Sequence, residues 1–280
     1  MISRIICPTD FTSIANNAVE YAAGLCKALD AGLLLLHVEQ VPANVPLLAS
    51  GVILDENMSD SMSQLRSLSR DVAENFKIPC SYHVSVARQN IASAIAEQTG
   101  EHNLIVMGTN GVDDLYTYFF GSNAYHVARK VKCPALVIPA DASYEGIKKM
   151  TLAIEYDFKT STLLDPLKEF IRVFNPELDV VHVSENSFQL EGHRSETGPD
   201  LFSSQEAAFR EVLGKEGKLE FKQLYSDDFA GAISEFVVES GADLLAITIH
   251  TKGIFSSFMG HSVAKELTGT ANYPILVFPV

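Results

Sequence analysis

The chain has 280 residues, 47% of them hydrophobic and 20% charged, with a formal net charge of −14 at pH 7. That is about two ordinary domains of material, apolar enough to build a core, which excludes an intrinsically disordered protein. The acid excess argues against a general nucleic-acid or anionic-membrane binder, because phosphates must be neutralised by Lys and Arg; a local anion site made of backbone N–H groups remains open.

The opening segment, MISRIICPTDF, has one Arg and no long apolar stretch before a cleavage site, so no signal peptide is expected. No apolar run approaches the roughly 18–20 residues of a membrane-spanning helix. Cys7, Cys26, Cys80 and Cys133 are widely spaced, form no CxxC knuckle and read as core thiols of a cytoplasmic protein.

In chain order, IICP reads as a buried strand. Thr12 or Ser13 then caps a helix whose stripe is Ala15, Ala18, Val19, Ala22, Leu25, Cys26 and Leu29, ending near Gly32. LLLLHV is continuously apolar, as a parallel strand covered on both faces should be. A polar loop over 40–60 precedes a helix around 61–75, and SYHVSVA alternates like a strand. IASAIAEQTG is a helix stopped by Gly100, LIVMG a buried strand, SNAYHVARKV a helix and ALVIP a last strand.

The second half repeats the first. CPALVIP (133–139) answers YPILVFP (273–279), and LLLHVE (34–39) answers VVHVSE (180–185). IICPTDFT (5–12) answers LAIEYDFK (152–159), with Asp10 opposite Asp157, and ASAI (92–95) answers AGAI (230–233). The expected fold class is therefore α/β, two repeated doubly wound five-stranded parallel-sheet domains, 1–140 and 150–280, joined by a linker at 141–149.

In such sheets ligands sit beyond the carboxyl ends of the strands. Three loops of the first half arrive there: Pro8-Thr9-Asp10 after the first strand, Val38-Glu39 after the second, and Met107-Gly108-Thr109-Asn110-Gly111 after the fourth. Nine residues beyond Gly111, Gly121-Ser122 opens a helix. Gly108 lets a ribose or phosphate approach bare backbone, and Gly111 can turn with positive φ. The N–H groups of Ser122, Asn123 and Ala124 lie at a helix N-terminus, where an anion is favoured. The Ser122 hydroxyl adds a donor, and Asp10 can accept from ribose hydroxyls.

The G-x2-G-x9-G-S pattern, with Pro8-Thr9-Asp10 after the first strand and Leu36-His37-Val38 in the second, resembles the universal stress protein family in its tandem form. The resemblance spans nearly the whole chain and implies an ATP-binding α/β domain. It implies that Asp10 holds the ribose beside Gly108, that the Val38 backbone meets the adenine edge, and that Gly111, Gly121, Ser122 and Asn123 line the phosphates. The chain departs from the family in VDDLYTYFF (112–120), which is acidic where basic residues are common; Mg²⁺ would bridge Asp113 and Asp114 to a triphosphate if they face it. It departs again at Asn123, where an apolar residue is usual.

The second half lacks the glycines. Aligning Gly260 with Gly121 sets Ile247 and His250 opposite Gly108 and Gly111, and His261 opposite Ser122. Residues 1–140 carry 9 basic and 13 acidic residues, whereas 141–280 carry 12 and 22, which makes the second half a poorer home for a triphosphate. No metal-binding spacing joins His182, His193, His250 and His261, and no G-x-S-x-G elbow occurs. His37 and His182 occupy equivalent strand ends and share a packing or hydrogen-bonding role. Phe119, Phe120, Phe255 and Phe258 read as cover over the strand ends.

The expected function is an ATP-binding signalling module with little or slow hydrolysis. The alternative is a ligand-free dimerisation scaffold of the same fold. The resemblance further implies that ALVIP and ILVFP pair edge to edge within one chain, an intramolecular pseudo-dimer, and leaves association into a homodimer open.

Overall fold

The computed structural model describes residues 2–41, 47–87, 90–100, 102–109, 121–154, 160–185, 206–207, 209–211, 218–249, 267 and 271–279; of these, 47–57, 121–123 and 160–166 are described as backbone. The first half runs β1 (Arg4–Pro8), α1 (Ser13–Leu29), β2 (Gly32–Gln40), α2 (Leu47–Phe76), β3 (Cys80–Ala87), α3 (Ile91–Glu97), β4 (Asn103–Thr109), α4 (Gly121–Ala128) and β5 (Ala135–Pro139). The second runs β6 (Lys149–Ala153), α5 (Thr160–Phe174), β7 (Glu177–Ser184), β8 (Leu219–Tyr225), α6 (Phe229–Ser240), β9 (Leu244–Ile249) and β10 (Ile275–Pro279).

All ten strands join one sheet, in the order β3-β2-β1-β4-β5-β10-β9-β6-β7-β8. Neighbours pair parallel everywhere except at the centre, where β5 and β10 run antiparallel. Each half is thus a doubly wound parallel sheet, as the strand–helix alternation requires. The central register sets Leu136 opposite Leu276, Val137 opposite Ile275 and Ala135 opposite Val277. Leu136 and Leu276, 140 positions apart, meet at the centre of the seam with the flanking pairs placed symmetrically about them, the self-complementary arrangement of a twofold interface.

Strand residues alternate between two apolar layers. Cys7, Leu33, Leu35, Leu104, Val106, Leu136 and Ile138 lie with α1 in one layer, which continues into Leu152, Leu244, Leu276 and Phe278. Ile6, Leu36, Ile105, Met107 and Val137 lie with α3 and α4 in the other, which continues into Leu245, Ile247, Ile275 and Val277. Both layers cross the seam, so the halves share their cores. Cys7, Cys26 and Cys133 are buried, and Cys80 is half-buried. Burial holds the thiol of Cys7 well above the ordinary range and pushes Cys26 up to about 12 and Cys133 to about 11.

Thr12 caps α1 as read, its side chain accepting from the Ala15 N–H. Helix α1 ends earlier than expected: Asp30 closes it in the left-handed conformation with φ 53°, and Gly32 already belongs to β2. The expected polar loop over 40–60 is a second correction, since α2 begins at Leu47 and runs thirty residues. Residues 140–149 lie against α1. Asn17 Nδ2 donates to the carbonyls of Pro139 and Ala142 at 3.0 Å each, and the Tyr144 ring packs edge-on to Tyr21 over Gly24.

His37 and His182 play the shared role anticipated for them. His37 Nδ1 donates to the Thr9 carbonyl at 2.7 Å, and His182 Nδ1 to the Ile154 carbonyl at 3.0 Å. Burial pushes the pKa of His182 below its usual value, partly opposed by the bond to Ile154. The unfolded chain therefore takes up a proton near pH 6.5 that the native state resists. Stability is expected to fall as pH drops below that point, by at most about 1.4 kcal/mol per pH unit. Urea unfolding at pH 7 and pH 5.5 checks this, with His182→Asn removing this histidine's share of the slope; an unchanged slope in the variant would refute it.

Among the charged groups of the described residues, Asp179 of β7 is the most deeply buried, at 4% exposure. It survives there between Lys149 Nζ at 3.3 Å and Lys222 Nζ at 3.2 Å, on the strands to either side.

Candidate functional site

The crevice of an open parallel sheet opens where two neighbouring strands send their connections in opposite directions. In the first half those strands are β1, which leads to β2 on one side, and β4, which leads to β5 on the other. Pro8 ends β1, and Thr9 stays tied to the sheet through its N–H, 2.9 Å from the Leu36 carbonyl. Asp10 stands exposed beyond the strand. Its Oδ1 accepts from the Thr12 N–H at 3.1 Å and the Thr12 hydroxyl at 2.6 Å. Its Oδ2 has no hydrogen-bond partner among the described residues. One carboxylate oxygen thus orders the loop and the other is available to a hydroxyl.

Across the switch point, β4 closes with Met107, Gly108 and Thr109. Met107 is 7% exposed and sits in the α3–α4 layer, so its side chain is core. The position of Gly108 has a packing cause that the sequence did not suggest. A Cβ there would lie 2.7 Å from Ile14 Cγ2 and 2.8 Å from the Ile14 carbonyl oxygen. The first turn of α1 occupies the space the glycine leaves, so a ligand can meet only the Gly108 backbone.

Helix α4 begins at Gly121, as the motif requires. The first N–H groups described in α4 are those of Gly121, Ser122, Asn123 and Ala124, and a helix N-terminus leaves such groups free for an outside acceptor. The Ala124 side chain is buried, so its contribution to an anion is its backbone. Val38 is half-buried in β2 opposite Ser85. Gly111, Asp113, Asp114, Phe119 and Phe120 lie outside the described residues, and so do Asp157, His193, His250, Phe255, Phe258, Gly260 and His261.

Hydrogen-bond register corrects two correspondences between the halves. Thr9 N–H bonds Leu36 as Ile154 N–H bonds Val181, an offset of 145 residues, so the counterpart of Thr9 is Ile154 and not Tyr156. Gly108 pairs with Ile138 and Thr248 with Phe278, so Thr248, not Ile247, stands at the glycine's place. Sequence matching had followed shared letters, whereas the strands align by their ladders. The second half still lacks the glycine.

Sequence reading missed the residues that shape the Asp10 loop. Phe11 adopts φ 65°, rare for a residue with a side chain, and stacks on His37 with ring centroids 4.8 Å apart. His37 Nε2 lies 3.4 Å from Glu39 Oε1, which also accepts from the Ser61 hydroxyl of α2. The repeated histidine was the one signal pointing here.

Residues 1–139 match the model of the universal stress protein family. Through those residues the chain belongs to that family. Universal stress protein MJ0531 of Methanocaldococcus jannaschii is 27% identical over 142 residues, which are 49% of this chain and 82% of that protein. A universal stress protein from Archaeoglobus fulgidus DSM 4304 shares the fold over 99% of this chain and 98% of its own, with a TM-score of 0.75 and 16% identity. A protein called functionally unknown, from Pseudomonas aeruginosa PAO1, covers 99% of this chain and 92% of its own, with a TM-score of 0.60 and 15% identity. The universal stress protein fold thus extends over both halves, while the family model covers the half that carries the glycines. No helix among the described residues is long and apolar enough to cross a membrane.

Proposed function

We propose that the first half binds ATP at the β1–β4 switch point, with Mg²⁺ as the nucleotide's companion, and that the second half is a degenerate partner. Asp10 accepts from the ribose hydroxyls beside the Gly108 backbone, Val38 meets the adenine edge, and the start of α4 receives the phosphates. In this reading 1–140 and 150–280 are two tandem domains of a cytoplasmic module. Nucleotide changes the module's conformation or partner, with little or slow hydrolysis. One observation supports the reading above others: an exposed, loop-ordering carboxylate stands after β1 at the switch point, and β4, the neighbouring strand there, is followed in the chain by a helix that opens on Gly121-Ser122.

Calorimetric titration with Mg-ATP tests it, with one site per chain expected. Asp10→Asn keeps an oxygen for Thr12 but loses the charge, and is expected to weaken binding by about tenfold, the worth of a charge-assisted hydrogen bond. Gly121→Val is expected to abolish binding. Two sites per chain would overturn the assignment of the second half. No binding at all would leave the ligand-free scaffold, for which the β5–β10 seam is the supporting observation.

A further inference from the structure

The two residues flanking Asp10 are both held by one side chain. His37 Nδ1 donates to the Thr9 carbonyl at 2.7 Å, and the His37 ring stacks on Phe11 at an interplanar angle of 30°. Phe11 sits at φ 65°, a conformation unfavourable for an L-residue that persists only where its surroundings impose it. The Phe11 N–H adds a bond to Thr9 Oγ1 at 3.1 Å, which tightens the same turn. A carbonyl acceptor places a proton on His37 Nδ1, and Glu39 Oε1, 3.4 Å from Nε2, accepts from the Ser61 hydroxyl of α2.

The second half supplies an internal comparison. His182 makes the same strand-end bond, to the Ile154 carbonyl. By the 145-residue offset, however, the counterpart of Glu39 is Ser184, whose hydroxyl accepts from Gln223 Nε2 at 2.7 Å. The strand-end bond is thus common to both halves.

We infer that His37 is a positioning residue that presets the Asp10 loop for a nucleoside's ribose. This rests on the nucleotide-binding reading above. Its test compares His37→Leu, His37→Asn and His182→Leu in the full chain, using amide hydrogen exchange without ligand and Mg-ATP titration. In His37→Leu, exchange at Phe11 and Thr12 is expected to quicken and ATP affinity to fall, each by about tenfold, as for loss of one hydrogen bond. His37→Asn offers an amide N–H near Nδ1 and is expected to restore both to within about threefold. His182→Leu is expected to lower the thermal midpoint while leaving ATP affinity unchanged.

The inference is overturned if His37→Leu binds ATP like the parent protein, if Asn gives no rescue, or if His182→Leu weakens binding as much. If the parent protein binds no ATP, the functional reading falls by itself. The exchange rates then decide whether His37 sets the loop: quickened exchange in the Leu variant alone upholds that role, and unchanged exchange removes it.

Discussion

Gly108→Val is expected to lower the unfolding free energy by about 3 kcal/mol and to abolish nucleotide binding with it. The cause is local and has two parts. The added Cβ would meet the Ile14 Cγ2 methyl at 2.7 Å and the Ile14 carbonyl oxygen at 2.8 Å. A methyl can rotate away, but the carbonyl is backbone in the first turn of α1, and moving it means moving the helix. Ile14→Ala is therefore expected to rescue Gly108→Ala only in part. Thr248→Gly, at the matching place in the second half, is expected to cost no more than about 1 kcal/mol, the usual penalty for glycine in a strand. Urea unfolding of the four variants checks the set. A Gly108→Val protein as stable as its parent would show that α1 does not bear on β4 as described.

The seam carries the second large effect. Leu136 and Leu276 face each other there, both with 0% exposure. Leu136→Asp puts a carboxylate into an apolar layer and is expected to cost about 4 kcal/mol, whereas Leu136→Met should cost less than about 1.5 kcal/mol. The loss should be uneven, because the ladder on either side of the seam is untouched. Limited proteolysis is expected to cut the Asp variant within 140–149 once the halves part and Tyr144 leaves its place on α1. Equal resistance in the two variants would mean that shared helix packing, and not the β5–β10 pair, holds the halves together.

How much of this was legible in the sequence follows from the range of each interaction. The strands were legible because buried parallel strands are continuous apolar runs, and LLLLHV, LIVMG and ALVIP stand out between polar segments. The start of α4 was legible because Gly121-Ser122 is a local signal. The early start of α2 was not, since Gly51, Asn57, Ser59 and Asp60 are weak helix formers and suggest a loop; the helix continues through them nevertheless. The packing role of Gly108 was hidden because its neighbour, Ile14, lies on another element ninety-four residues earlier. For the same reason Phe11 showed no sign of its left-handed backbone, which His37 imposes from the adjacent strand. The register errors in the match of IICPTDFT to LAIEYDFK and at Ile247 came from matching letters, where a shift of one or two residues is invisible until the ladder is seen.

The antiparallel pair at the centre has one more consequence, for inheritance. When two identical chains meet about a twofold axis, every substitution is copied onto both sides at once. Here the two faces of the axis are written separately, at Leu136 and Leu276, with glycine at 108 and threonine at 248. One side is free to keep a binding loop under selection while the other drifts, because the drifting side still supplies the strand and the apolar layers that its neighbour needs. The tether also frees the pairing from dilution, since the second strand is always present at the first one's edge. Asymmetry of this kind is open to a single chain and closed to a homodimer.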